Sequence, residues 1–228
     1  QNTANLKMNL EKNKVYRLKS VSEQTVTQTI NGVQQTTDSK VNYTLSLKMI
    51  DATADFMIAE VHFDTLVTNT NTMGKMVNIS SVSEGDIKSG ETTDIMSCIM
   101  NRLSKNALYV KMDFAGKPIE VVNSKMVSEV IMKDTSSITL AGQTRSAVKK
   151  QIINMISDNS LKTMIGMFTW CLPGKQVSTG DNWSVTQLTN SGGMMLDIMT
   201  SYHLDGLNGN NANITVESNI KVAANADP

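Results

Sequence analysis

KVYRLKSVSEQTVTQTINGVQQTTDSKVNYTLSLKMI, residues 14–50, is the stretch whose reading decides the fold. It holds two alternating apolar and polar runs, 14–30 and 33–50, joined by Asn31-Gly32. A type I′ turn needs φ > 0 at both central positions, and Asn and Gly adopt it at the least cost. In the second run Val41, Tyr43, Leu45, Leu47 and Met49 share one face, while Asn42, Thr44, Ser46 and Lys48 share the other. That is the pattern of a half-buried antiparallel strand. At about 3.3 Å per residue, an arm of about 17 residues reaches about 55 Å, roughly three times a usual strand. Flat strands of that length are disfavoured, so a strongly curved sheet is predicted, either open or a half-barrel.

Outward from the hairpin, Leu6, Met8 and Leu10 predict a short first strand, and Met57, Ala59, Val61 and Phe63 a third long one. Met73-Gly74 leads into a strand over Met76–Val82, and a loop follows over Ser83–Gly90. Helical spacing begins at Thr92 or Thr93, with Asp94 in the first turn where a negative charge suits the helix dipole. Strands over Leu108–Phe114 and Ile119–Val122 flank the turn Ala115-Gly116-Lys117-Pro118, and Asn123 is expected to cap a second helix. A third helix starts near Gln143, Asp158-Asn159-Ser160 breaks the chain, and a fourth apolar stripe runs to Pro173-Gly174. Strands return over Asn182–Leu188, Met194–Leu204 and Ala212–Val222, separated by Ser191-Gly192-Gly193 and by Gly206–Asn211. The fold class is therefore α+β: a long antiparallel sheet with a layer of helices from the middle of the chain. One domain over residues 1–228, with a helical insertion at about 91–172, is expected.

Composition narrows function mainly by exclusion. Charged residues make up 18%, with 21 basic and 21 acidic residues spread without blocks, so nothing marks a nucleic-acid partner. No apolar run approaches the roughly 20 residues of a spanning helix. Beginning at Gln1 fits a mature exported chain whose leader, with or without a lipid-modified Cys, lay upstream. Cys98 and Cys171 have no metal-ligand spacing, and either a disulfide or two small buried apolar side chains fits them.

Chemistry is sparse. The two histidines, His62 and His203, sit in strands without ligand spacing, and no nucleophile, phosphate or dinucleotide motif is present. The acidic pairs Glu60/Asp64, Glu84/Asp86 and Asp197/Asp205 could serve a carboxylate hydrolase, but aromatics are only 4%, too few for sugar platforms. Glu84, Asp86 and Glu91 could offer oxygens to calcium, yet their order lacks the regular loop pattern, and a solvated acidic loop explains them. No cofactor is expected. Methionine is abundant at 16 residues. Flexible thioethers can line an adaptable apolar cavity, or fill irregular gaps between helices and a curved sheet.

The runs KNKVYRLK (12–19), VKMDFAGKPIEVVN (110–123) and PGKQVSTGDNW (173–183) together resemble an uncharacterised family of exported, often lipid-anchored, β-rich proteins of Gram-negative bacteria. Asn13 stands where that family's opening often has Gly. The resemblance implies a periplasmic, outer-membrane-associated or extracellular location and assigns no activity. It also implies further strands beyond Pro228.

Two non-enzymatic readings follow. In the first, an envelope protein binds an apolar ligand, a lipid or lipoprotein acyl chain, between sheet and helices, with Met155, Met164, Met167, Phe168 and Met199 lining the cavity. In the second, a surface interaction or scaffold module with a packed core engages an envelope protein or glycan through polar strand faces. A carboxylate-dependent hydrolase is third.

Overall fold

The turn that organises the chain forms as its residues demand: Asn31 and Gly32 have φ of 51° and 80° in the computed structural model, which describes residues 3–191, 194–209 and 211–223. Strand β1 is Thr3–Asn5, and the hairpin arms are β2 (Val15–Ile30) and β3 (Val33–Ala52). Strands β4 (Met57–Thr72) and β5 (Lys75–Ser80) form a second hairpin about Met73 and Gly74, with φ of 52° and 83°. Helix α1 (Thr92–Ser104) follows, then β6 (Leu108–Met112), β7 (Pro118–Val121), α2 (Ser124–Ile131), α3 (Gly142–Met155) and α4 (Asp158–Thr169). The chain closes with β8 (Gln176–Ser178), β9 (Asn182–Ser191), β10 (Met194–Asn208) and β11 (Asn211–Val222). Gly192, Gly193 and Asn210, expected in turns, lie outside the described residues.

All described strand pairs are antiparallel. The main sheet has the order β2-β3-β4-β6-β7, with β5 beside the far half of β4. A second sheet is β11-β10-β9, and β1 pairs with β8. Both larger sheets are open, with no closed barrel among the described residues. The main sheet buries one face beneath the helices, where Leu45, Leu47, Ala59, Val61, Phe63, Leu108 and Val110 meet Ile95, Ile99, Leu103, Ile131, Ile152 and Ile165 in one core cluster. Those positions alternate along the strands and recur at three and four along the helices, so burial follows the periods read from the sequence.

Several local expectations differ. Leu6–Leu10 forms no strand; Met8 instead hangs its N–H on the Phe114 carbonyl at 2.7 Å and packs with Leu10 on the core. Asn123 precedes α2 without capping it. Its amide is committed elsewhere, accepting from the Tyr109 N–H at 2.8 Å and donating to the Ala107 carbonyl at 2.9 Å. Asp158-Asn159-Ser160 opens α4 rather than breaking the chain, because Ser157 takes the N-cap and accepts from the Ser160 N–H at 3.3 Å. Cys171 falls beyond the end of α4.

Candidate functional site

The five side chains expected to line a cavity differ in exposure. Met155, Met164 and Phe168 are half-buried and pack against the core cluster. Met167 is 58% exposed on the outer side of α4, and Met199 is 47% exposed on β10. Two shallow depressions open at the surface among the described residues. One, about 200 Å³, is lined by Asn78, Ser80, Ser83, Thr93, Asp94 and Ser97 between β5 and α1.

The other, about 270 Å³, lies on the β9–β11 sheet and is lined by Asn182, Ser201, Tyr202, His203, Thr215 and Glu217. His203 faces Asn182 on β9 and Thr215 on β11 in register. A β-bulge between Leu204 and Gly206 leaves Asp205 without an opposite residue. The Asp205 carboxylate lies 3.8 Å from His203 Nε2 and accepts from Thr215 Oγ1 at 2.8 Å, while His203 Nδ1 is 2.8 Å from Asn182 Oδ1. The imidazole is thus held between an amide and a carboxylate in an open, shallow site that can hydrogen-bond a polar ligand. Among the described residues no cysteine or serine hydroxyl is hydrogen-bonded to it.

The solvent-side face of the main sheet carries a second cluster. A bulge in β4 pairs Thr65 with Thr44 and Phe63 with Leu45, leaving Asp64 between them unopposed. Asp64 accepts from the Ser46 hydroxyl and lies 3.6 Å from Arg17 Nε. Beside it Lys48 Nζ is 2.9 Å from Glu60, whose other oxygen is 3.2 Å from His62 Nε2. Ser46 stands opposite His62, yet its hydroxyl is spent on Asp64, so the trio does not form a nucleophile–base relay. Hydrogen bonding from Lys48 holds the Glu60 carboxyl below the usual carboxylate range, despite some opposing desolvation. Because the folded-state pKa lies below the unfolded one, this pair stabilises the fold above the ordinary carboxylate range, about 4.3, and loses that contribution as pH falls through the folded value. Lys48→Met is therefore expected to raise the Glu60 titration midpoint, read by side-chain carboxyl NMR. It should also flatten the loss of stability between about pH 5 and pH 3. Identical Glu60 midpoints in the two proteins would show that the pair has no electrostatic role.

The remaining expectations resolve separately. Glu60 and Asp64 have different partners, and Glu84 pairs with Lys105 at 3.2 Å while Asp86 accepts from the Lys88 N–H at 2.8 Å. Asp197 sits opposite Leu188 and Lys221, several rungs from Asp205. Among the described residues no group of three His, Cys, Asp or Glu is placed to hold a metal ion. Cys98 and Cys171 are both free, and burial pushes the Cys171 thiol up, away from the reactive thiolate. The Cys171 carbonyl instead accepts from Trp183 Nε1 at 2.9 Å, and Trp183 stacks on Tyr202 with ring centroids 5.4 Å apart.

The most distinctive surface is the far half of the ribbon β2–β5. Along β3 burial is deepest at Leu45 and Leu47, then gives way to exposed and half-exposed positions over Val33–Lys40, while Glu23–Thr27 of β2 are exposed throughout. Polar rungs cross it in place of a core. Thr25 donates to Asp38 at 2.7 Å, Thr27 and Thr36 oxygens are 3.5 Å apart, Thr37 and Thr72 are 3.0 Å apart, and Ser39 and Thr70 are 3.5 Å apart. Such cross-strand pairs contribute roughly 0.2–1 kcal/mol each, so a ladder of them helps hold the β2–β4 arm in shape where the burial of β3 gives out.

No helix is long and apolar enough to cross a membrane among the described residues. Comparison with curated proteins and with solved structures finds no match. A family model does match residues 54–228, from the start of β4 through the helices and the second sheet. The chain therefore belongs to DUF6263, a family of unknown function.

Proposed function

We propose that the chain is an exported, non-enzymatic interaction module of a Gram-negative envelope, which engages another protein through the projecting half of its β2–β5 ribbon. The observation that carries this reading is the ribbon itself: a polar, multi-strand projection whose described side chains over Glu23–Lys40 are exposed or half-exposed, with none buried. Ordering so many residues costs conformational entropy that core burial does not offset there, which argues for a role in contact. Register shifts in the β3–β4 pair at Thr44/Leu45 and Met49/Asp51 support bending of the sheet near its base, since bulges bend the strands that carry them. Export, a periplasmic or outer-membrane location and a lipid anchor upstream rest on the resemblance of residues 12–19, 110–123 and 173–183 to exported proteins. The commitment of Ser46 to Asp64 and of His203 to Asn182 and Asp205 supports a non-enzymatic role.

An apolar-ligand carrier is the second reading. Met155, Met164 and Phe168, half-buried at the edge of the core, favour it, and it requires the helices to part from the sheet. The deciding experiment replaces residues 25–38 with Asn-Gly and compares photo-crosslinked envelope partners of the two proteins in cells. The shortened protein is expected to unfold cooperatively and to lose its crosslinks. Retained crosslinks would overturn the interaction reading. A stoichiometric lipid in native mass spectra of detergent-free protein would move the assignment to a carrier.

A further inference from the structure

The two edges of the main sheet are treated differently. At β7 the Val121 N–H donates to Asp158 Oδ1 at 3.0 Å, so the first turn of α4 covers that edge. At β2 the edge is open among the described residues: there the strand is bonded to β3 alone, over 16 residues, in a register running from Val15/Lys48 to Ile30/Val33 without interruption. β2 contains no proline and no bulge, two of the devices by which sheet edges are normally blunted. Tyr16 and Leu18 point to the core face, so Arg17, Lys19, Val21 and Glu23 share the opposite one. Val21 is 52% exposed, with a cation two residues before it and an anion two residues after.

We propose that two copies of this chain pair through their β2 edges, antiparallel about a two-fold axis at Val21, with Lys19 of each copy opposite Glu23 of the other. This inference rests on the interaction-module reading and names its partner as a second copy. A two-fold contact must be self-complementary, and the sequence K-S-V-S-E over residues 19–23 is so when read against itself in reverse. Opposite side chains in an antiparallel pair stand about 4.5–5.5 Å apart at Cβ, within reach of an ion pair. Glu23 already holds Lys40 at 2.6 Å, so the second lysine would complete a Lys–Glu–Lys bridge across the joint. Lys19 has no ion pair among the described residues. Shifting each copy by one rung to centre Ser20 would place Arg17 opposite Glu23 and Lys19 opposite Val21, taking Arg17 from Asp64.

Light scattering on the purified full chain tests this. The wild type is expected at about twice 24.9 kDa. Lys19→Glu and Glu23→Lys should each set like charges opposite one another at two rungs and weaken dimerisation about tenfold or more. A 1:1 mixture of the two variants restores both rungs and should return to the dimer mass. Val21→Lys, which crowds two ammonium groups at the axis from an exposed position, should also give folded monomers, with a thermal midpoint equal to that of wild type diluted until it is monomeric. Wild type at monomer mass up to high micromolar concentration would overturn the proposal, as would single reversals that remain dimeric. If the monomer still makes ribbon-dependent crosslinks in the envelope, the interaction reading stands without this partner.

Discussion

Phe63→Ala is expected to destabilise the protein by about 3–5 kcal/mol, read as a fall in the urea midpoint at unchanged slope. Phe63 is 1% exposed, opposite Leu45 on β3, and in the same core cluster as Ile95, Ile99 and Leu103 of α1. Removing its ring deletes buried apolar surface and leaves a void that the sheet cannot close, because the bulge at Asp64 fixes the next residue by its bonds to Ser46 and Arg17. The comparison is Met167→Ala, which at 58% exposure should change stability by no more than about 0.5 kcal/mol. This pair of measurements also bears on function. A layer built to admit a lipid between sheet and helices would tolerate the loss of Phe63, so a cost below about 1 kcal/mol would favour the carrier reading.

Much of the architecture was legible because it depends on short-range signals. Asn31-Gly32 marks a turn whose φ values the structure bears out, Met73-Gly74 leads into β5 as expected, and the alternation of Leu45, Leu47, Val61 and Phe63 sets the buried face. Helices α1 to α4 follow stripes spaced at three and four. What escaped was decided by partners distant in sequence. Asn123 looks like a cap, but its amide is claimed by the start of β6, and Leu6–Leu10 alternates like a strand yet joins no strand, its Met8 N–H bonding the Phe114 carbonyl. β10 runs on to Asn208 where a loop was expected, because a bulge at Asp205 absorbs the break in pattern.

The candidate sites were less legible for the same reason. Methionine count and helical position drew attention to Met155, Met164, Met167, Phe168 and Met199, but composition does not tell which way a stripe turns, and Met167 and Met199 turn outward. The polar clusters depend on two bulges, at Asp64 and Asp205, that bring carboxylates beside Ser46 and Thr215. No single residue type announces a bulge. The β2 edge was not read from the sequence either, because the alternation of Leu6, Met8 and Leu10 suggested a strand ahead of the hairpin and that segment forms none.

Gly116→Ala is expected to cost more than about 3 kcal/mol, because two penalties coincide there. Its φ is 85°, a conformation in which a Cβ alone costs about 1–2 kcal/mol. That Cβ would also stand 2.0 Å from the Thr169 carbonyl oxygen and 2.9 Å from Met8 Cε, and the first of these contacts is backbone. Thr169, buried at the end of α4, donates its hydroxyl to the Gly116 carbonyl at 2.7 Å, so the clash falls on a junction that is already bonded. Asp113 ties the same turn down by accepting from the Ala115 and Lys117 N–H groups, each at 2.9 Å. The turn cannot swing away without releasing α4 and the N-terminal segment together. Gly32→Ala separates the two terms, since Gly32 has a similar φ of 80° with nothing within 4 Å of its added Cβ. It should lose only the conformational part, about 1–2 kcal/mol by urea unfolding. Equal losses at the two glycines would mean that the end of α4 yields freely, and that Gly116 serves the turn alone rather than the joint between sheet and helix.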